Sequence, residues 1–171
     1  GYSNIMYLDA AEHKYIEECG ACNFFGIKDG KYITPKSSSV LPSITNMSLR
    51  QLARDMGLEV EDRKIPVEEL ASFEECGGCG TAAVISPIGT IYDMQTEKTY
   101  SYSDKVGKIS LELYTRLQDI QYGRAEDKYN WCTIVKRPLY SGLFLFRLCL
   151  RVLYICSTWN MSSLVVVWEE N

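Results

Sequence analysis

The stretch "EECGACNFFGIKDGKYITP" (Glu17 to Pro35) carries the clearest local signal in the chain. Two apolar runs, Asn23 to Ile27 and Tyr32 to Pro35, flank Asp29-Gly30. Asp-Gly is the pair favoured in a two-residue type I′ turn, where both central residues need positive φ. The segment therefore reads as a β-hairpin. Just upstream, Cys19 and Cys22 form a Cys-x-x-Cys, and "EECG" recurs in "EECGGCGTAA" (Glu74 to Ala83), with Cys76 and Cys79 as a second pair. The repeated tetrapeptide raises the question of a four-thiolate metal site.

Composition limits the answers. The 171 residues carry 18 Lys and Arg against 22 Asp and Glu, a net charge of -4. No basic stripe offers itself to nucleic acid. Hydrophobic residues make up 46% and charged residues 23%, the balance of a globular domain with a real core. The chain starts at Gly1 without a basic-then-apolar leader. That start reads as no signal peptide, a cytoplasmic location and a fragment. Seven cysteines are too few for a disulfide scaffold, so reduced thiols acting as small buried hydrophobes are the default.

Other elements follow from pattern. "NIMYLD" (Asn4 to Asp9) reads as a buried strand. After the loop Ser37 to Thr45, a helix is expected with Thr45 as N-cap. Leu49, Leu52, Ala53 and Met56 form its apolar face, and Gly57 closes it. Leu58 to Ile65 reads as a strand, and Pro66 to Phe73 as a short helix with Pro at its first position. The second "EECG" is placed in a helix-to-strand loop. Gly80 to Gly89 reads as a buried strand ending in a turn, with "TIYD" and "KTYSY" as further strands. From Lys105 to Gln121, the steps Ile109, Leu113, Leu117 and Ile120 mark a second amphipathic helix, ended by Gly123. From Arg137 to Trp168 there is no Asp or Glu and no steady period. Arg147 and Arg151 make this tail a poor membrane span, at about 2.5–3.5 kcal/mol each at mid-bilayer. The boundary is set at 135/136, with 136–171 as an atypical apolar tail of non-native origin, the product of a frame change or read-through.

Zinc fits this pattern poorly. Paired knuckles lie about 15–20 residues apart, whereas 53 residues separate Cys22 from Cys76. "ECGACNFF" also runs straight into a strand instead of turning around a metal. A redox pair would want a helix N-terminus behind it, and none is expected. No metal is assigned.

The residues around the cysteines say more. "YLDAAEHKYIEECGACNFF", then "LPSIT", "GTAAVISPIG" and "DIQYGRAEDKYNW", resemble the branched-chain amino acid aminotransferases, members of the class IV pyridoxal-phosphate family. The resemblance runs from Gly1 to Val135. It implies an α+β fold, a mixed sheet packed by two or three helices, matching the large C-terminal domain of class IV enzymes and incomplete at its N-terminal side. It implies pyridoxal 5'-phosphate as cofactor, amino acid and 2-oxo acid substrates, and a homodimer. It also implies transfer of the amino group of leucine, isoleucine or valine to 2-oxoglutarate. Glu18 matches the carboxylate that keeps the pyridine nitrogen protonated, so that the ring acts as electron sink. Ile44 and Thr45 match the phosphate turn, at a helix N-terminus suited to anions. Gly80, Thr81 and Ala82 match the "GTA" turn, whose Thr helps hold phosphate and whose N–H groups face the substrate carboxylate.

The chain departs from the family pattern at several places. Ala21 stands where many members have Thr, Ser43 where Gly is usual and Asn46 where Arg is common. Ala83 and Ser86 stand where some members carry a redox cysteine pair. The resemblance also places the Schiff-base lysine upstream of "YLDA", so the isolated chain is expected not to transaminate and to contain no catalytic residue. Lys14 matches a non-catalytic lysine. His13, the single histidine, reads as structural. The alternatives are another class IV enzyme, a D-amino acid transaminase or an aminodeoxychorismate lyase, and a non-catalytic thiol or metal-binding module.

Overall fold

The computed structural model describes residues 3–103, 105–134 and 165–167. Contacts divide the chain into two units, 1–115 and 116–171. The sequence-based boundary at 135/136, and the tail apart from residues 165–167, lie outside the described residues.

The first unit is built on a seven-stranded sheet. Its strands are β1 (Met6–Leu8), β2 (Ile16–Cys19), β3 (Cys22–Lys28), β4 (Lys31–Pro35), β5 (Glu59–Arg63), β6 (Glu75–Gly80) and β7 (Val84–Pro87). The order runs β1-β2-β3-β4-β5, and β6 adds to β3 and carries β7. β3 is the hub. β6 takes one edge, pairing Asn23 with Cys79 through to Ile27 with Glu75. β2 and β4 share the other edge, with Glu18 opposite Asn23 and Gly26 opposite Ile33. The β3–β4 hairpin turns on Asp29 and Gly30 with φ of 50° and 69°, the left-handed pair that the Asp-Gly dipeptide calls for. β4 and β5 run parallel, which requires a crossover. α1 (Ile44–Asp55) supplies it.

Strand alternation assigns the two faces. Cys19, Phe24, Ile33 and Cys76 join Ile16, Ile65, Leu70, Phe73 and Tyr100 in one core. A 3-10 helix (Val67–Ser72) and the separate hairpin β8 (Thr90–Asp93) and β9 (Lys98–Ser101) contribute to that side. On the other face Phe25 stacks on Tyr32, with centroids 5.0 Å apart. There α1 lies against β5 and β6 and buries Leu49, Leu52 and Ala53. α2 (Lys108–Gln121) begins in this unit. Its first N–H groups, at Ile109 and Ser110, donate to the Glu75 carboxylate at 3.0 and 2.8 Å, and the Ser110 hydroxyl adds a third bond at 2.7 Å. Gly107 permits that approach, since a Cβ there would collide with the Glu75 side chain.

In the second unit α2 stops before Gly123, at φ 67°. Tyr129 stacks on Trp131, and β10 (Cys132–Ile134) pairs in parallel with β11 (Val165–Val167).

Several expectations need correction. Ser43, not Thr45, is the N-cap of α1: its hydroxyl accepts from the Asn46 N–H at 3.2 Å. Thr45 sits inside the first turn and is buried. Pro66 precedes its helix instead of opening it, and the helix is 3-10. The second "EECG" leads into strand β6, not a loop. Its glycines weaken intrinsic strand preference, but pairing on both edges overrides that. The strand expected over Gly80 to Gly89 is confined to β7, with a turn over residues 81–83 before it. α2 begins at Lys108 instead of Lys105.

Candidate functional site

The β2–β3 turn gathers three of the sequence-derived segments. β2 and β3 meet through a two-residue turn, Gly20-Ala21, with Gly20 at φ 53°. A side chain there would strike Asn4. Glu18, one residue before the end of β2, is half-buried. Its Oε1 accepts from the Leu41 N–H at 2.8 Å and from Asn23 Nδ2 at 3.2 Å. Asn23 Nδ2 also donates to the Leu41 carbonyl at 2.9 Å. The carboxylate is thus tied to the loop three residues before α1 begins. Both bonds fall on Oε1, so neither engages Oε2. The neighbouring Glu17 holds the start of the same loop by accepting from the Ser37 hydroxyl at 2.7 Å.

At the other end of that loop, Ile44 and Thr45 open α1. The first N–H groups of a helix have no intrahelical acceptor, and the helix dipole favours an anion there. This terminus is pinned to the sheet by a buried chain of bonds. Tyr32 donates to Asn46 Oδ1, Asn46 Nδ2 donates to the Thr34 hydroxyl, and that hydroxyl donates to the Phe24 carbonyl, each at 2.9 Å. Asn46 is thereby a tether for the helix start.

Gly80 closes β6 beside the same turn. A Cβ on it would lie 3.5 Å from Cys22 Cβ and 3.8 Å from the Ala21 carbonyl. Thr81 and Ala82 follow in an exposed turn. β7 then starts at Val84, whose φ of 59° is costly for a β-branched residue. Glu18, the Ile44–Thr45 turn and Gly80 therefore converge on one end of the sheet. His13 and Lys14 stand apart in an exposed turn built on Asp9. Three backbone N–H groups hold the Asp9 carboxyl down at about 2.

Among the described residues no group of three or more His, Cys, Asp or Glu is placed to hold an ion. Burial raises Cys19, Cys76 and Cys79 to about 12, so they stay protonated. Among the described residues no helix is long and apolar enough to cross a membrane.

Sequence reasoning missed Asn23 and the Leu41 backbone. One signal for Asn23 was available: it is a polar residue inside the run "CNFFGI", at a strand position that must be buried.

Known proteins resemble this chain in sequence and fold. The branched-chain-amino-acid aminotransferase of Helicobacter pylori (strain J99) is 47% identical over 133 residues, covering 77% of this chain and 38% of that protein. Among solved structures, branched-chain amino acid aminotransferase from Escherichia coli superposes with a TM-score of 0.67 at 30% identity, covering 77% of this chain and 42% of the other. The branched-chain amino acid aminotransferase from Thermobaculum terrenum, in its PLP-form, gives 0.64 at 32% identity, covering 73% and 39%. The chain thus spans about two fifths of the relatives it matches. A family model described as amino-transferase class IV matches residues 1–91, more than half of the sequence, and the chain belongs to that family.

Proposed function

We propose that this chain is a segment of a pyridoxal-phosphate enzyme that moves the amino group of leucine, isoleucine or valine to 2-oxoglutarate. The observation that carries the reading is the Leu41 linkage, which couples a half-buried carboxylate to the loop entering a helix N-terminus. A phosphorylated pyridinium needs an anion site and a carboxylate partner, and this donor set fits both requirements. When bound, the cofactor supplies an electron sink for the substrate carbon. The chain's own residues do the holding. Ile44 and Thr45, at the start of α1, would present N–H groups to the phosphate. Glu18 would hold the proton on the ring nitrogen with the oxygen left over, since Oε1 is fixed by Leu41 and Asn23. The turn Gly80, Thr81 and Ala82 offers backbone N–H groups to the substrate carboxylate, with the Thr81 hydroxyl aiding the phosphate. A homodimer in the cytoplasm completes the proposal.

The relatives named above as branched-chain aminotransferases support the substrate class. The test is the full-length protein carrying this segment, assayed with leucine, isoleucine, valine and D-alanine against 2-oxoglutarate. Turnover of the three branched-chain substrates, with D-alanine inert, is expected. A preference for D-alanine would move the protein to another class IV activity.

A further inference from the structure

We propose that Asn23 is a positioning residue for the cofactor carboxylate, acting through Glu18; this inference rests on the proposed function. Asn23 is only 4% exposed and lies directly opposite Glu18 on β3. Its amide donates twice, to Glu18 Oε1 at 3.2 Å and to the Leu41 carbonyl at 2.9 Å. Leu41 returns its own N–H to the same Oε1 at 2.8 Å. The three groups close a ring in which one neutral amide sets both the carboxylate and the loop that leads to α1.

Chemistry restricts what can stand there. Glu18 Oε1 and the Leu41 carbonyl are both acceptors, so the residue between them must bring two donors and no charge of its own. Asn supplies two N–H groups on a side chain short enough for a cross-strand neighbour. Asp has the same shape and presents an oxygen to each acceptor instead. Ala presents nothing. With the clamp gone, only the Leu41 N–H still joins the loop to Glu18 and the Leu41 carbonyl loses its side-chain donor, so one bond instead of three sets the carboxylate against the loop that leads to the helix N-terminus.

The experiment uses full-length protein with Asn23→Ala, Asn23→Asp, Glu18→Gln and the double variant Glu18→Gln/Asn23→Ala. The apoprotein is titrated with pyridoxal phosphate, leucine turnover is measured, and far-UV and near-UV circular dichroism report the fold. Both Asn23 variants should weaken cofactor affinity and lower kcat about ten- to hundredfold, the scale of a hydrogen bond to a charged group, while KM for leucine changes less than twofold. The double variant should be no worse than Glu18→Gln alone, because the two side chains act as one unit. Asn23→Asp serves where Asn23→Ala fails to fold. Additive losses, or cofactor affinity within twofold of wild type in a folded Asn23 variant, would overturn the positioning role while leaving the proposed function intact. A wild-type protein that bound no pyridoxal phosphate would overturn both.

Discussion

Replacing Gly77, the glycine that ends the second "EECG", by alanine isolates one packing contact. A Cβ built on Gly77 lies 2.6 Å from two ring carbons of Phe25 and 3.4 Å from the Ser86 carbonyl. Carbon atoms normally meet at about 3.5–4.0 Å, so the ring must retreat by about 1 Å. It has little room: Phe25 is fully buried and stacked on Tyr32 at an interplanar angle of 11°. Overpacking of this kind costs about 1–3 kcal/mol. The backbone at Gly77 is not left-handed, so alanine also restricts the unfolded chain and returns about 0.4–1 kcal/mol. At the middle of both ranges the net loss is about 1.3 kcal/mol, or about 3–5 °C in Tm at about 2–4 °C per kcal/mol. Thermal unfolding followed by circular dichroism reads it. Gly77→Ala in a Phe25→Leu background should cost clearly less, since a smaller side chain leaves the methyl space. A Gly77→Ala protein melting within one degree of its parent, or an equal cost in both backgrounds, would refute the reasoning.

Three further outcomes are expected. Glu75→Gln should lower stability by about 1–2 kcal/mol and fray the start of α2, because a carboxylate accepting three bonds beside a helix N-terminus becomes a neutral amide; amide hydrogen exchange at residues 109–112 checks it. Cys19, Cys76 and Cys79 have pKa values raised to about 12 from 9.0, so the unfolded chain ionises first. Their contribution to stability should be complete below pH 9 and fall away between pH 9 and 12, which urea midpoints across that range will show. Elemental analysis of freshly purified protein should find no stoichiometric zinc, and an equimolar amount lost on mutating Cys19 or Cys76 would revive the four-thiolate reading.

What could be read in advance depended on whether the signal was local. The Asp29-Gly30 turn, the apolar face of α1 and the stop at Gly57, with φ 84°, were legible because each rests on residues within one turn or one strand pair. β6 was not. "ECGGCG" has poor strand propensity, and only its neighbours β3 and β7 make it a strand. The N-cap slipped from Thr45 to Ser43 because both hydroxyls qualify locally; Asn46, fixed by Tyr32 and Thr34, selects the earlier one. At the site, the family pattern indicated Glu18, the Ile44–Thr45 turn and Gly80 to Ala82. The Asn23–Leu41 clamp that joins the first two was invisible, since it depends on contacts across 18 residues of sequence.

The same sheet geometry explains why the repeated Cys-x-x-Cys is a poor guide to metal. In the first copy the two intervening residues are a hairpin turn, so Cys19 and Cys22 face each other across adjacent strands. In the second copy the intervening residues are part of an extended strand. Side chains three apart on a strand point to opposite faces. Accordingly, Cys76 sits in the core with Phe24 and Phe73, while Cys79 reaches Tyr32 on the face covered by α1. A tetrahedral thiolate site needs four sulfurs around one point, and a strand that divides one pair between two layers cannot provide it. The glycines of the two "EECG" copies have equally different duties. Gly20 supplies a left-handed turn, whereas Gly77 makes room for an aromatic ring. The shared spelling therefore reflects two unrelated demands for small residues, on strands β2 and β6 that flank β3 on either side.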